Sequence, residues 1–331
     1  MRRHRIMGFA VSAVVLSAII YFQVIPAARA IDNSRYGANY FPNVELTNQD
    51  GQKVHFYDDV LKGKTVAIDM IYTHCVDSCP LETAKLVQVQ KMLGDHVGKD
   101  IFFYSITIDP KRDTPEVLKA YMEKFHVGPG WTFLTGKKED IDLISKKLGL
   151  YSDPDPNNRD GHAPSVLVGN EPTGQWIRDG ATDNPRFLAV LLKDWMGNWK
   201  ESNQLEKPNY ADAKPIDLDR GQYLFGAHCA ACHTIGHGDK IGPDLLGVTN
   251  VRDRGWLAKF IATPDKVLAQ KDPIATALFE KYKQVQMPNL REAQEDVNAI
   301  IDYLAKQTAQ ADPAKDKVSS ISPDAAGSTN K

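Results

Sequence analysis

Apolar and polar positions change their period along this chain. Val66 to Tyr72 is a mostly apolar run of strand length. Pro80 then suits the first turn of a helix, which the pattern carries to about Leu93. A strand through Ser105 to Ile108 ends in Asp109-Pro110, and a helix follows through Val117, Leu118 and Tyr121 with Asp113 or Thr114 as its N-cap. Lys137 to Asp140 reads as a solvated helix start, and Ser165 to Val168 as another strand. Trp199 to Pro215 is polar, carries prolines and lacks a hydrophobic period, as a linker does. Beyond it every strong segment is helical: one helix from an Asp217 or Asp219 cap through Gly221, Tyr223 and Phe225, one over Arg254 to Ala262, and one over Glu292 to Lys306 with Val297, Ile300, Ile301 and Leu304 on one face. Past Gln307 almost nothing remains to bury, which predicts a disordered tail.

A length of 331 residues allows about two domains, and 42% hydrophobic composition is ordinary for a globular chain. A formal net charge of −2 gives nucleic-acid binding no electrostatic support. The four cysteines form two local pairs far apart in sequence, which leaves none for a disulfide framework.

Cys229-Ala230-Ala231-Cys232-His233 spells C-x-x-C-H, the spacing with which a chain binds haem covalently through Cys229 and Cys232 and ligates its iron through His233. A low-spin haem needs a second axial ligand. Met287 is the one methionine after His233, and Pro288 fixes an irregular loop that can present its sulfur from the far face. His237 is the rival, but four residues beyond His233 it would have to cross the haem plane almost at once. From Leu218 to Gln307 the chain resembles a class I cytochrome c. The resemblance implies that Gly221 and Phe225 contact the last helix. It also implies that Pro243, in Ile241-Gly242-Pro243-Asp244-Leu245, offers a carbonyl to the Nδ1–H of the axial histidine.

The other pair stands in Tyr72-Thr73-His74-Cys75-Val76-Asp77-Ser78-Cys79-Pro80, at a strand-to-helix turn. A thiolate there would face the positive end of the helix dipole and have a lowered pKa. A short-range structural disulfide is the plain alternative, although so small a loop gains little from closure. With Ser105 to Pro115 and a later histidine, this motif resembles the Sco/SenC family, thioredoxin-like proteins associated with copper delivery to cytochrome oxidase. The likeness covers roughly Asn43 to Trp199. It implies a copper site of Cys75, Cys79 and His162, with Cys75 and Cys79 also a redox pair. Two thiolates and one imidazole form a soft, low-coordinate set suited to Cu(I), whereas zinc takes a fourth ligand. The chain departs from the family where His162 is followed by Ala163-Pro164-Ser165. His74 remains the rival third ligand, and Asp109 a contributor beside the site.

Arg2, Arg3 and Arg5 precede an apolar stretch from Ile6 to Ile25, and Ala28-Arg29-Ala30 has the form of a signal-peptidase site. Export follows whether the segment is cleaved or kept as an anchor, with the rest of the chain outside the cytoplasm; the resemblance implies the periplasmic side of the inner membrane, anchored or free in the periplasm. The expected organisation is therefore a signal or anchor over 1–30, an α/β thioredoxin-like domain over 31–198, a linker over 199–216, an all-α cytochrome c domain over 217–308 and a tail over 309–331. The resemblance implies the copper-bearing subunit of cytochrome c oxidase as a partner, with other periplasmic redox proteins as further ones. A thiol–disulfide oxidoreductase without copper delivery, and a peroxide-reactive sensor, use the same cysteines. Whether the two domains touch is open at this level.

Overall fold

The computed structural model describes residues 36–151, 164–196 and 218–311. The segments expected to be signal or anchor, linker and tail fall wholly or mostly outside these residues, as does His162. Among the described residues no helix is long and apolar enough to cross a membrane.

In the first domain the strands are β1 (Glu45–Asn48), β2 (Lys53–His55), β3 (Thr65–Ile71), β4 (Ile101–Thr107), β5 (Trp131–Gly136), β6 (Ser165–Asn170) and β7 (Gln175–Gly180), and they pair in the order β2-β1-β5-β4-β3-β6-β7. β3 runs parallel to β4 and β4 to β5, while β6 and β7 add antiparallel to β3 and the β1–β2 hairpin adds antiparallel to β5. β3 is mostly apolar, with Asp69 the one charged residue in it, because it lies between β4 and β6 with helices over the sheet, so both faces are covered. The parallel strands require crossovers. These are α1 (Cys79–Leu93) between β3 and β4, and α2 (Pro115–Phe125) between β4 and β5. α3 (Lys138–Leu148) follows β5, and α4 (Pro185–Val190), prolonged by a π-turn over Leu191–Trp195, packs against α1. This mixed sheet with covering helices is the thioredoxin-like architecture.

Thr114 caps α2, accepting from the Val117 N–H at 3.5 Å. Asp113 is therefore released for another task. β3 ends at Ile71, four residues before Cys75, so the cysteine stands on a turn rather than at the end of the strand.

The second domain is helical. It comprises α5 (Arg220–Leu224, continued by a π-turn over Phe225–Cys229), α6 (Val248–Val251), α7 (Arg254–Ala262), α8 (Pro264–Ala269), α9 (Pro273–Lys281) and α10 (Gln294–Ala311). α7 has the predicted bounds; α10 starts two residues later and runs five further than the pattern suggested. Asp219 is the cap of α5, its carboxylate accepting from the Gln222 N–H at 2.7 Å. α5 crosses α10 closely. A Cβ on Gly221 would lie 2.1 Å from the Ala299 carbonyl oxygen and 2.7 Å from Tyr303 Cβ, so only glycine allows this approach. Phe225 packs its ring against Tyr303 at 5.7 Å, alongside buried Leu224, Ile300 and Leu304.

Candidate functional site

The turn after β3 is built around a buried carboxylate. Asp113 accepts from the Thr73 N–H (3.1 Å), the Thr73 hydroxyl (2.6 Å) and the Thr107 hydroxyl (2.5 Å), with no exposure to solvent. Thr107 is the last residue of β4, so Asp113 ties the end of β4 to the start of the cysteine turn. The Cys75 N–H then donates to the Tyr72 carbonyl (3.2 Å), and Cys79 opens α1.

Both thiols are free and buried, Cys75 at 5% and Cys79 at 0% exposure. They are unequal acids. The Cys79 S–H donates to the Cys75 sulfur; with help from the Tyr72 hydroxyl and the N–H groups of Cys79 and Asp77, it outweighs burial and lowers the Cys75 pKa to about 7. Cys79 is pushed well up, by burial first and then by Cys75 and Glu82. The lowered pKa expected at this turn is thus found for Cys75, through hydrogen bonds received by its sulfur, and not for Cys79, the first residue of α1. Beneath the pair lie the acids Asp69 and Glu82. Burial raises Asp69 to about 7 and Glu82 well above the carboxylate range, and Ser105 donates to Asp69 at 2.6 Å while Trp131 Nε1 donates to Ser105 at 2.9 Å. Raising both acids reduces the like charge beside a Cys75 thiolate.

Of the two third-ligand candidates, His162 lies outside the described residues. His74 is turned to solvent: its Nε2 meets Arg112 Nη1 at 2.7 Å and Asp109 Oδ2 at 3.5 Å, and its ring packs edge-on against Tyr72. Among the described residues no group of three or more His, Cys, Asp or Glu side chains could hold a metal ion. Asp109 is engaged by His74 and Arg112.

The second site is a cavity of about 480 Å³ in the helical domain, lined by Cys229, Cys232, His233, Pro243, Leu257 and Met287 among others. The Pro243 carbonyl lies 2.8 Å from His233 Nδ1; a carbonyl can only accept, so Nδ1 carries the proton and Nε2 is left with its lone pair. Gly242 makes room for the ring, since a Cβ there would lie 2.5 Å from His233 Cε1. Burial lowers the His233 pKa and raises both cysteine thiols to about 12. A neutral imidazole, two thiols and a thioether in one apolar cavity fit a haem: the sulfurs to bond its edge, His233 and Met287 to ligate its iron. His237 is exposed and is not among the lining residues.

Two features escaped the sequence. Asp113 looked like a helix cap. Asn289, to which the sequence assigns no role, donates from Nδ2 to Asp265 at 2.7 Å, accepts at Oδ1 from the Arg291 N–H at 3.0 Å, and donates its own N–H to the Val76 carbonyl at 2.9 Å. The first two bonds hold the Met287 loop. The third crosses to the other domain, between Cys75 and Cys79, so the domains touch. A Pro-Asn pair beside a ligand residue is a turn signal, but which carbonyl it would meet had no local signature.

Comparison with known proteins agrees with this division. The family described as SCO1/SenC matches residues 32–172, and the family described as Cytochrome c matches residues 218–308. A "SCO2-like protein" of Rickettsia felis is 36% identical over 169 residues, 49% of this chain and 78% of that protein. A "Putative copper-binding protein" of Stutzerimonas stutzeri is 33% identical over 109 residues, 33% of this chain and 52% of that protein. The crystal structure of a SCO1/SenC family lipoprotein from Bacillus anthracis is 30% identical and aligns with a TM-score of 0.41, covering 48% of this chain and 96% of that one.

Proposed function

Because this chain belongs to the SCO1/SenC family and carries a cytochrome c domain, we propose that it is a copper-binding, thiol-redox assembly factor for the copper centre of cytochrome c oxidase, with a covalently attached haem. The observation that carries this reading is the buried Cys75/Cys79 pair, in which one sulfur is already an acceptor at neutral pH and the other is its donor. Cu(I) entering the pair takes the Cys75 thiolate first and then displaces the Cys79 proton to solvent, giving two thiolate ligands; His162 is the proposed third. The dry surroundings favour a low-coordinate ion over a hydrated one. Cargo bound by so few ligands can leave by exchange with the thiolates of an acceptor, and the acceptor proposed is the oxidase's copper-bearing subunit.

In the second domain Cys229 and Cys232 would fasten the haem, and His233 and Met287 would ligate it with the imidazole held in one tautomer by Pro243. A haem held in this way supplies reversible one-electron exchange. The site of action is taken as the periplasmic side of the inner membrane, where copper centres and covalent haem are assembled and where Arg2, Arg3 and Arg5 would orient the chain.

A second reading has its own support: a thiol pKa of about 7 on Cys75, with Cys79 poised behind it, also suits attack on a disulfide, Cys75 forming the mixed disulfide and Cys79 resolving it. Transfer separates the two. The full chain loaded with one equivalent of Cu(I) should pass it to the metal-free soluble domain of an oxidase copper subunit whose cysteines have been reduced beforehand. If that domain stays metal-free while its oxidised form is reduced by the same chain, the reductase reading replaces delivery.

A further inference from the structure

The turn that carries one site is also a wall of the other. Val76 and Asp77 lie between Cys75 and Cys79. The Val76 carbonyl accepts from the Asn289 N–H at 2.9 Å, two residues from Met287, and Asp77 Oδ2 lies 3.8 Å from Arg291 Nη2. Pro80, next to Cys79, lines the cavity of the helical domain together with Met287 and His233. Ala231 and Ile241 of the helical domain are buried in the same apolar cluster as Leu81, Ala84 and Val87 of α1, with Cys232, Val285 and Leu290 packed against it.

We propose that Val76–Asp77 and Asn289–Arg291 form a positioning contact that couples the two sites, so that Cu(I) binding at Cys75/Cys79 shifts the Met287 loop. The coupling rests on the copper reading above. Its physical basis is the shortness of both loops. Binding replaces the S–H···S contact with two sulfur–metal bonds, and only three residues separate the sulfurs, so the Val76 carbonyl moves when they reorient. Asn289 cannot follow alone, because its side chain is tied to Asp265 and to the Arg291 N–H and its neighbour is Pro288, so a displaced Val76 carbonyl either carries the Met287 loop with it or breaks the contact. On the far side His228 and Glu292 anchor the loop at 2.5 Å. One hydrogen bond and one exposed ion pair make a weak contact, which the difference in copper affinity between the made and broken states can bias. By reciprocity, breaking it from the Met287 side changes copper affinity by the same factor.

The test uses the full chain with its haem. Amide hydrogen exchange of Asn289 and the absorption that reports methionine ligation of the iron are followed with and without one equivalent of Cu(I), in wild type, Asp77→Lys, Arg291→Glu and the double swap. Wild type should show an exchange rate changed about tenfold on Cu(I) addition, the size expected when one such contact is made or lost, with a shift in the ligation band. The single variants should exchange fast at the outset and respond little, and the double swap should regain the response. Copper bound stoichiometrically with Asn289 exchange and the band unmoved in wild type would overturn the coupling and leave the copper reading intact. If Cu(I) does not bind, the copper reading fails instead. Alkylating Cys75 with N-ethylmaleimide then becomes the perturbation, and an unmoved Asn289 amide overturns the coupling.

Discussion

Replacing Asp113 should loosen the first domain and its copper site together. The side chain is fully buried and accepts from three donors at 2.5–3.1 Å, two of them on Thr73 and one on Thr107. Hydrogen bonds to a carboxylate are worth about 1.5–3 kcal/mol each, so the gross loss in Asp113→Ala is large. It is reduced because both hydroxyls can turn to new partners and because Thr107 Oγ1 already accepts from the Asp109 N–H at 3.0 Å. The Thr73 N–H has no such freedom, and leaving it unmatched costs about 1–3 kcal/mol by itself. The net expectation is a loss of about 3–4 kcal/mol for Asp113→Ala, and about half that for Asp113→Asn, which keeps one accepting oxygen. Hydrogen exchange of the β3 and β4 amides as a function of urea reads this domain separately; with an m-value of about 2 kcal/mol/M the alanine variant should lose roughly 1.5–2 M in midpoint. Cu(I) affinity should fall as well, because Thr73 fixes the turn that ends in Cys75. A midpoint within about 0.3 M of wild type would refute the claim that this carboxylate holds the turn.

Alkylation of Cys75 should rise with pH and level off with a midpoint near 7; Cys79→Ala, which removes the donor, should move the midpoint up toward the ordinary thiol value of about 8.5, and an unmoved midpoint would show that Cys79 is not the cause. Asp244 is held at a pKa of about 2, burial opposing and the N–H groups of Leu246, Gly236 and Gly238 prevailing. Its folded value lies below its unfolded one, so its stabilisation is complete above about pH 4 and is lost as pH falls toward 2. Asp244→Asn should therefore flatten the acid limb of the helical domain's stability curve, and an unchanged limb would count against it. Gly242→Ala places a methyl 2.5 Å from the His233 ring and should lower the fraction of chain with a correctly ligated haem, read from its low-spin spectrum; full low-spin ligation would show that the ring has room to move.

Much of this was legible because the signals were local. The Pro80 helix start, the Asp219 cap and the period of Val297, Ile300, Ile301 and Leu304 each sit within a few residues of what they determine, and each recurs in the structure. Pro243 was named through a resemblance, and its carbonyl is 2.8 Å from His233 Nδ1. What escaped was tertiary. Asp113 could cap a helix or brace a turn 40 residues away, and nothing near it in sequence chooses; Thr114 took the cap. The domain contact left no trace that could have been followed. α1 buries even its polar residues Glu82, Thr83, Lys85 and Gln90, and such positions read in sequence like any solvated helix face. Here α4 packs on one flank, and Pro80 lines the cavity of the second domain.

The central claim is that Cys75 and Cys79, with His162, hold copper. A competition titration of the reduced full chain with Cu(I) against a chromophoric chelator, run beside Cys75→Ser and His162→Ala, tests it most directly. The account predicts one tight equivalent in wild type that is lost in both variants. Tight binding that survives His162→Ala would contradict the ligand set, and the absence of tight binding in wild type would contradict the copper function itself and leave a haem-linked dithiol reductase in its place.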